Sequence, residues 1–225
     1  MEQILSGIEA IFFDLDGTLS DSDDQIIEEL VNRLRFLDFC WKESSRRRFV
    51  RKSVSLAMTF FNRSYHFLDR LGIDNFIAKV FLPKAKPEQE VTRHNYALIS
   101  GVDSAIKILH AHYKLGIISA HSKAGVMYFL EQFALEQYFD VIVDAQSCFY
   151  TKPYPQPLLY AAEKVNVIPQ NCLMVGDTVV DIVAGKAAGM KTVGVLCGFG
   201  TVKNLQKAKA DLILSSPEEL PAWLT

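Results

Sequence analysis

With 225 residues, 49% of them hydrophobic and 22% charged, the chain has the make-up of a globular protein large enough for one sizeable domain, or for a core with a modest insert. A formal net charge of −2 excludes the cationic excess of nucleic-acid binders and of proteins drawn to anionic membranes. No apolar run reaches the length that a bilayer requires.

The first element is a short strand, Ile11-Phe12-Phe13, which ends abruptly in Asp14-Leu15-Asp16-Gly17-Thr18-Leu19. Side chains alternate along a strand, so Asp14 and Asp16 are expected to leave it on one side. Gly17 permits a tight reversal directly afterwards. Two converging carboxylates repel, a cost that is offset when a cation sits between them. A hard divalent ion with oxygen ligands, Mg2+ above all, suits such a pair; a solvated acidic turn would carry the same letters.

Residues 21–95 read as nearly all helix. Ile26, Ile27, Leu30, Leu34 and Leu37 form one amphipathic stripe, and Phe60, Phe61, Phe67, Leu68 and Leu71 suggest others. Pro83 and Pro87 punctuate the later part. The segment also holds the basic cluster Arg46-Arg47-Arg48 with Arg51 and Lys52. It reads as a solvated helix face, or as side chains that reach an anionic substrate.

From residue 97 strands and helices alternate. Val102, Ala105, Ile106 and Leu109 predict a helix over 102–112. A strand over 114–119, a helix over 123–134, a strand over 140–143 and a helix from Pro157 through Val165 follow. A strand over 172–176 and a helix over 179–188, closed by Gly189, precede strands over 191–196 and 211–214. This order predicts an α/β fold, a doubly wound parallel sheet with helices on both faces and right-handed crossovers. The core is expected to comprise 1–20 and 96–225, with 21–95 as a smaller, all-helical inserted domain.

Three of these strands end in oxygen-bearing side chains. The first ends in Asp14 and Asp16, and the second in Ser119, followed by Ala120. The third ends in Gly176-Asp177-Thr178, with Asp181 four residues past Asp177. Lys152 opens the proline-punctuated stretch Lys152-Pro153-Tyr154-Pro155-Gln156-Pro157. Ligands of parallel sheets bind outside the carboxyl ends of the strands, which makes these residues the candidate site. Each also has a plain structural reading: Ser119 as a helix cap, Lys152 as a solvated surface residue, Asp181 as a helix N-terminal charge.

His121, two residues past Ser119, reads as a loop histidine at the rim, or as one that looks into the site. It forms no metal-type cluster with His66, His94, His110 or His112. The cysteines, Cys40, Cys148, Cys172 and Cys197, show no C-x-x-C spacing, which argues against a zinc site or a disulfide framework. Cys172 and Cys197 read as small core residues. Glu2 and Glu9 precede the first strand without the basic start and long apolar core of a signal peptide, so the cytoplasm is the default location.

Taken together, these motifs resemble the haloacid dehalogenase superfamily. Asp14-Leu15-Asp16-Gly17-Thr18 is similar to its first motif, Ser119 to its second, Lys152 to its third, and Gly176-Asp177-Thr178-Val179-Val180-Asp181 to its fourth. The motifs occur in the family's order, and the resemblance runs from about residue 8 to the C-terminus. Asp14 through Ser22 looks most like the phosphoglycolate-phosphatase and β-phosphoglucomutase branch. The resemblance implies a Rossmann-like core, a helical cap over 21–95, a Mg2+ cofactor and hydrolysis of a small phosphomonoester. Asp14 would be the nucleophile, forming an aspartyl-phosphate, and a metal ligand as well. Asp16 would be the general acid–base, with its backbone carbonyl a metal ligand.

Ser119, the backbone at Ala120 and Lys152 would bind the phosphoryl group, and Asp177 and Asp181 would complete the metal site. Ala120 stands where the family often has Asn or Ser, so a side-chain contact is lost there. Asp16 with Asp177 argues for phosphate rather than haloacid chemistry. The implied partner is a small phosphorylated metabolite, with neither nucleic acid nor membrane expected. Specificity would lie in the cap, with hinges near 20–23 and 92–97. A phosphosugar mutase and a non-catalytic, phosphate-sensing or protein-binding member are the rival readings; a phosphonate hydrolase lacks an identifiable cap lysine.

Overall fold

The computed structural model describes residues 4–21 and 96–224. The chain divides into two compact units, Met1–Asp23 with Asn95–Thr225, and Asp24–His94. The expected helical stripes of the insert, its prolines and the basic cluster Arg46–Lys52 lie outside the described residues.

Six strands are found among the described residues: β1 (Ala10–Phe13), β2 (Lys114–Ile118), β3 (Val141–Val143), β4 (Cys172–Gly176), β5 (Lys191–Val195) and β6 (Leu212–Leu214). They form one sheet in the order β3-β2-β1-β4-β5-β6, with every neighbouring pair parallel. The helices are α1 (Val102–His110), α2 (Lys123–Gln132), α3 (Gln156–Lys164), α4 (Val179–Ala187), α5 (Val202–Lys207) and α6 (Pro221–Leu224). This is the expected doubly wound architecture.

Strand alternation sorts the core into two faces. Ile11 and Phe13 of β1, Leu115 and Ile117 of β2, and Leu173 and Val175 of β4 join Ile106 and Leu109 of α1 and Phe129 and Leu130 of α2. On the other face, Ala10 and Phe12, Ile118, Cys172 and Met174 join Leu158 and Ala161 of α3 and Ala184 of α4. All these strand residues are buried, which is why β1, β2 and β4 read as continuous apolar runs rather than as alternating ones. Gly116 is required opposite Phe12, its partner in register, because a Cβ there would overlap the Phe12 ring and Val141.

Among the described residues, two α-helices escaped the sequence reading, α5 and α6. A parallel β5–β6 pair needs a crossover between the strands, and α5 supplies it. Its six residues bury Leu205 alone, too little for a periodic signal. The residue that caps α2 is Ser122, whose side chain accepts from Gly125 N, and not Ser119. Burial pushes the Cys172 thiol up to about 12, in keeping with a core residue. Cys197 departs from that reading: it is half-buried, and its thiol donates to Gly17 O at 3.2 Å.

The two chain segments that lead into and out of the insert run side by side. Asp21 N donates to Ala97 O at 2.8 Å and Ile99 N donates to Leu19 O at 3.0 Å, with Ser20 bridging Leu98 in antiparallel fashion. Among the described residues, no helix is long and apolar enough to cross a membrane.

Candidate active site

The sheet itself aligns three of the candidate residues. Asp14, Ser119 and Asp177 each follow directly on a buried strand, β1, β2 and β4 respectively. The ladder continues one step beyond the strands, with Asp14 N donating to Val175 O and Ser119 N to Val143 O, both at 2.9 Å. β1 is flanked by β2 on one side and β4 on the other. The strand order reverses direction here, so the connections leave to opposite sides and open a crevice at the carboxyl ends.

Lys152 reaches this crevice from the loop before α3. Its Nζ donates to Asp14 Oδ1 and to Asp181 Oδ1, at 2.7 Å in both cases, and its side chain is only 9% exposed. A lysine so buried is no solvated surface residue. Asp181 divides its work. While Oδ1 faces Lys152, Oδ2 accepts from Thr178 N at 3.1 Å and from Thr178 Oγ1 at 2.6 Å. It thereby closes a capping box at the start of α4. The structural reading of Asp181 holds, and the same carboxylate also faces Lys152.

Burial pushes the Asp14 carboxyl up to about 7, with Asp181 and Asp16 adding to the rise and Lys152 opposing it. Burial also acts to lower Lys152, but the charges of Asp14 and Asp181 and its hydrogen bonds to them outweigh this and hold it above the usual lysine range. Lys152 is thus a fixed positive charge beside Asp14.

Asp14, Asp177 and Asp181 each offer an oxygen, and these lie within 4.8 Å of one another. With all three ionised against one ammonium, the cluster keeps a negative surplus. A hard divalent cation, which prefers carboxylate oxygens, fits this donor set. Asp16, also expected as a ligand, is not brought into the cluster by its side chain. The backbone turns at Leu15, whose carbonyl accepts from Leu19 N and Ser20 N at 2.9 Å, and Gly17 follows at φ 69°. Asp16 still acts on Asp14 through its charge, but it is not one of the three clustered carboxylates. Asp16 Oδ2 instead lies 2.5 Å from His121 Nε2.

Ser119 is buried, and its Oγ accepts from His121 N at 3.1 Å. Ala120 beside it is exposed. His121 is therefore in the site, and not merely at its rim. The sequence reading also missed the loop after β5. Phe199 N donates to Asp177 Oδ2 at 2.8 Å, and Gly200 packs so closely that a Cβ would overlap the Asp177 carbonyl oxygen. Gly198-Phe199-Gly200 directly after an apolar strand was the available signal.

Comparison with known proteins agrees with this fold. The haloacid dehalogenase-like hydrolase family profile matches residues 11–195. The chain is 28% identical over 224 residues to the pyrophosphatase PpaX of Bacillus mycoides (strain KBAB4), covering 95% of both chains. Among solved structures, it superposes with a TM-score of 0.64 on a protein from Haemophilus somnus 129pt described as a predicted phosphoglycolate phosphatase. That pair shares 22% identity and covers 96% of this chain and 97% of that one. A haloacid dehalogenase-like hydrolase from Streptococcus pneumoniae gives a TM-score of 0.66 at 20% identity, covering 97% and 99%.

Proposed function

The chain belongs to the haloacid dehalogenase-like hydrolases, and on that premise we propose that it is a Mg2+-dependent phosphatase acting on a small phosphomonoester through an aspartyl-phosphate on Asp14. The observation that carries this reading is Lys152, buried and shared at 2.7 Å between Asp14 and Asp181, inside a cluster of three carboxylates. A fixed ammonium beside a carboxylate suits attack on a phosphoryl group, whose oxygens carry spread negative charge.

Asp14 attacks phosphorus through one carboxylate oxygen, and the bond from phosphorus to the ester oxygen breaks. The leaving alkoxide takes the proton of the Asp16 carboxylic acid. Water then attacks the aspartyl-phosphate and gives its proton to Asp16, and the bond between Asp14 and phosphorus breaks to release phosphate. Lys152 and the Ser119 hydroxyl hold phosphoryl oxygens throughout. Asp14, Asp177 and Asp181, with the Asp16 carbonyl, would hold Mg2+, which when bound neutralises developing charge and orients the phosphoryl group.

A second reading, hydrolysis of pyrophosphate, is favoured by the 28% identity to a pyrophosphatase over nearly the whole chain. It uses the same residues with phosphate as the leaving group. One experiment tests both. The purified protein is screened against phosphorylated metabolites and pyrophosphate, with Mg2+ and with excess chelator, alongside Asp14→Asn. Turnover that needs Mg2+ and is lost with the nucleophile, together with trapped phosphoenzyme in the parent only, is the expected result. Full turnover in chelator removes the metal, and near-normal turnover of Asp14→Asn removes the nucleophile.

A further inference from the structure

We infer that His121 is a positioning residue for Asp16. In this role its Nε2–H donates to Asp16 Oδ2 and holds the carboxyl group that gives the proton to the leaving group and later takes it from water. The inference rests on the acid–base role of Asp16 in the function proposed above.

Three contacts fix His121 independently of Asp16, two at its backbone and one at its ring. His121 N donates to Ser119 Oγ at 3.1 Å, and Ala145 N donates to His121 O at 2.9 Å, so the backbone at 121 is pinned between the ends of β2 and β3. The ring meets Tyr96 edge to face, with centroids 6.3 Å apart. Tyr96 is itself buried, stacked in T-shaped fashion on Phe129 of α2 at 5.5 Å, and its carbonyl accepts from Gln132 Nε2 at 2.9 Å. Tyr96, held by the C-terminal half of α2, thus helps to keep the imidazole with Nε2 against Asp16.

The Asp16 side chain is not one of the three clustered carboxylates, and it is 37% exposed. An acid that protonates a leaving group works fastest when its carboxyl has no rotational freedom left. A donor on a fixed ring removes that freedom in advance, which is where positioning contributes to rate. The hydrogen bond requires a proton on Nε2, and either the neutral tautomer carrying it there or the imidazolium supplies it.

The test compares two aryl esters of similar shape and different leaving-group basicity, p-nitrophenyl phosphate and phenyl phosphate, in single turnovers with enzyme in excess. His121→Phe keeps a ring against Tyr96 and removes only the donor. Its phenol release should fall by about tenfold or more on phenyl phosphate, where protonation matters, and by less than about threefold on p-nitrophenyl phosphate. His121→Gln, which retains a donor at similar reach, should recover most of the loss. In an Asp16→Asn background, His121→Phe should add nothing, because it acts through a group already disabled.

Equal losses on the two esters, no rescue by Gln, or a full loss that persists in the Asp16→Asn background would each overturn the inference, since a structural role has no preference between leaving groups. If His121→Phe does not fold, His121→Ala replaces it in the same comparison. A parent that hydrolyses neither ester overturns the phosphatase reading and this inference with it. An active parent with leaving-group-blind variants overturns the inference alone.

Discussion

At Asp181 one oxygen accepts from Thr178 N and Oγ1 while the other accepts from Lys152 Nζ, so its substitutions should separate fold from chemistry. Asp181→Asn keeps a carbonyl oxygen for Thr178 and removes one negative charge from the cluster. Its melting temperature should stay near the parent's, while Mg2+ affinity measured by calorimetry falls roughly 10–100-fold. Asp181→Ala should lose the same affinity and in addition about 0.5–1 kcal/mol of stability, as the start of α4 loses its acidic partner. Unchanged Mg2+ binding in both would take Asp181 out of the metal site.

Asp14 makes a prediction about pH. Its carboxyl, pushed up to about 7 chiefly by burial, must lose its proton before it can hold a cation. Mg2+ binding should therefore release a proton near neutrality, and affinity should weaken as pH falls through about 7. An affinity that is flat between about pH 6 and 8 would contradict this ordering of the two equilibria.

At the scale of elements, Asp211 ties α4, β5 and the start of β6 together. Lys186 Nζ donates to its Oδ1 at 2.6 Å, and Thr192 donates to its Oδ2 from N at 2.8 Å and from Oγ1 at 3.0 Å. Burial alone would raise this carboxyl, but the hydrogen bonds and the Lys186 charge bring it below the usual range. A group depressed in the folded state contributes stability above its unfolded value and loses it as pH falls through the folded one. Asp211→Asn should accordingly cost about 1 kcal/mol near neutrality. The gap to the parent should close on acidification, as read by urea unfolding at a series of pH values. A gap independent of pH would mean that the carboxylate charge contributes nothing.

The same scale shows why element types were legible and some were not. Strands buried on both faces and helices with an apolar stripe, such as Val102, Ala105, Ile106 and Leu109 of α1, announce themselves through composition and period. α5 buries a single side chain, and nothing local distinguishes it from a loop. Its existence is a requirement of the parallel pair it connects.

For the molecule as a whole, the proposed chemistry asks of Asp14, Asp16, Asp177, Asp181 and Lys152 only what a phosphoryl group, its metal and a leaving-group proton require, and every substrate of that chemistry shares these. We propose that discrimination among leaving groups lies in the inserted segment, with Arg46, Arg47, Arg48, Arg51 and Lys52 as the candidates. Charge reversal at a substrate-reading member should lower kcat/KM on the preferred metabolite by about tenfold or more, equivalent to about 1.4 kcal/mol of transition-state binding. Activity on p-nitrophenyl phosphate should fall far less. Five variants that all behave like the parent would mark the cluster as a solvated face.

Asp14, Ser119, Lys152, Asp177 and Asp181 could be named from the chain alone, and so could the parallel sheet, because strand-end chemistry and apolar periodicity are local properties written in consecutive residues. The partnerships among them are not local. Lys152 meets Asp14 across 138 positions of sequence, and the order β3-β2-β1-β4-β5-β6 alone brings those ends together. The Asp16 carboxylate, expected to converge with Asp14, faces His121 instead, and close packing placed the Gly198–Gly200 loop on Asp177. Backbone turns and packing distances depend on what the rest of the chain puts alongside, so these roles became readable only once the sheet had assembled.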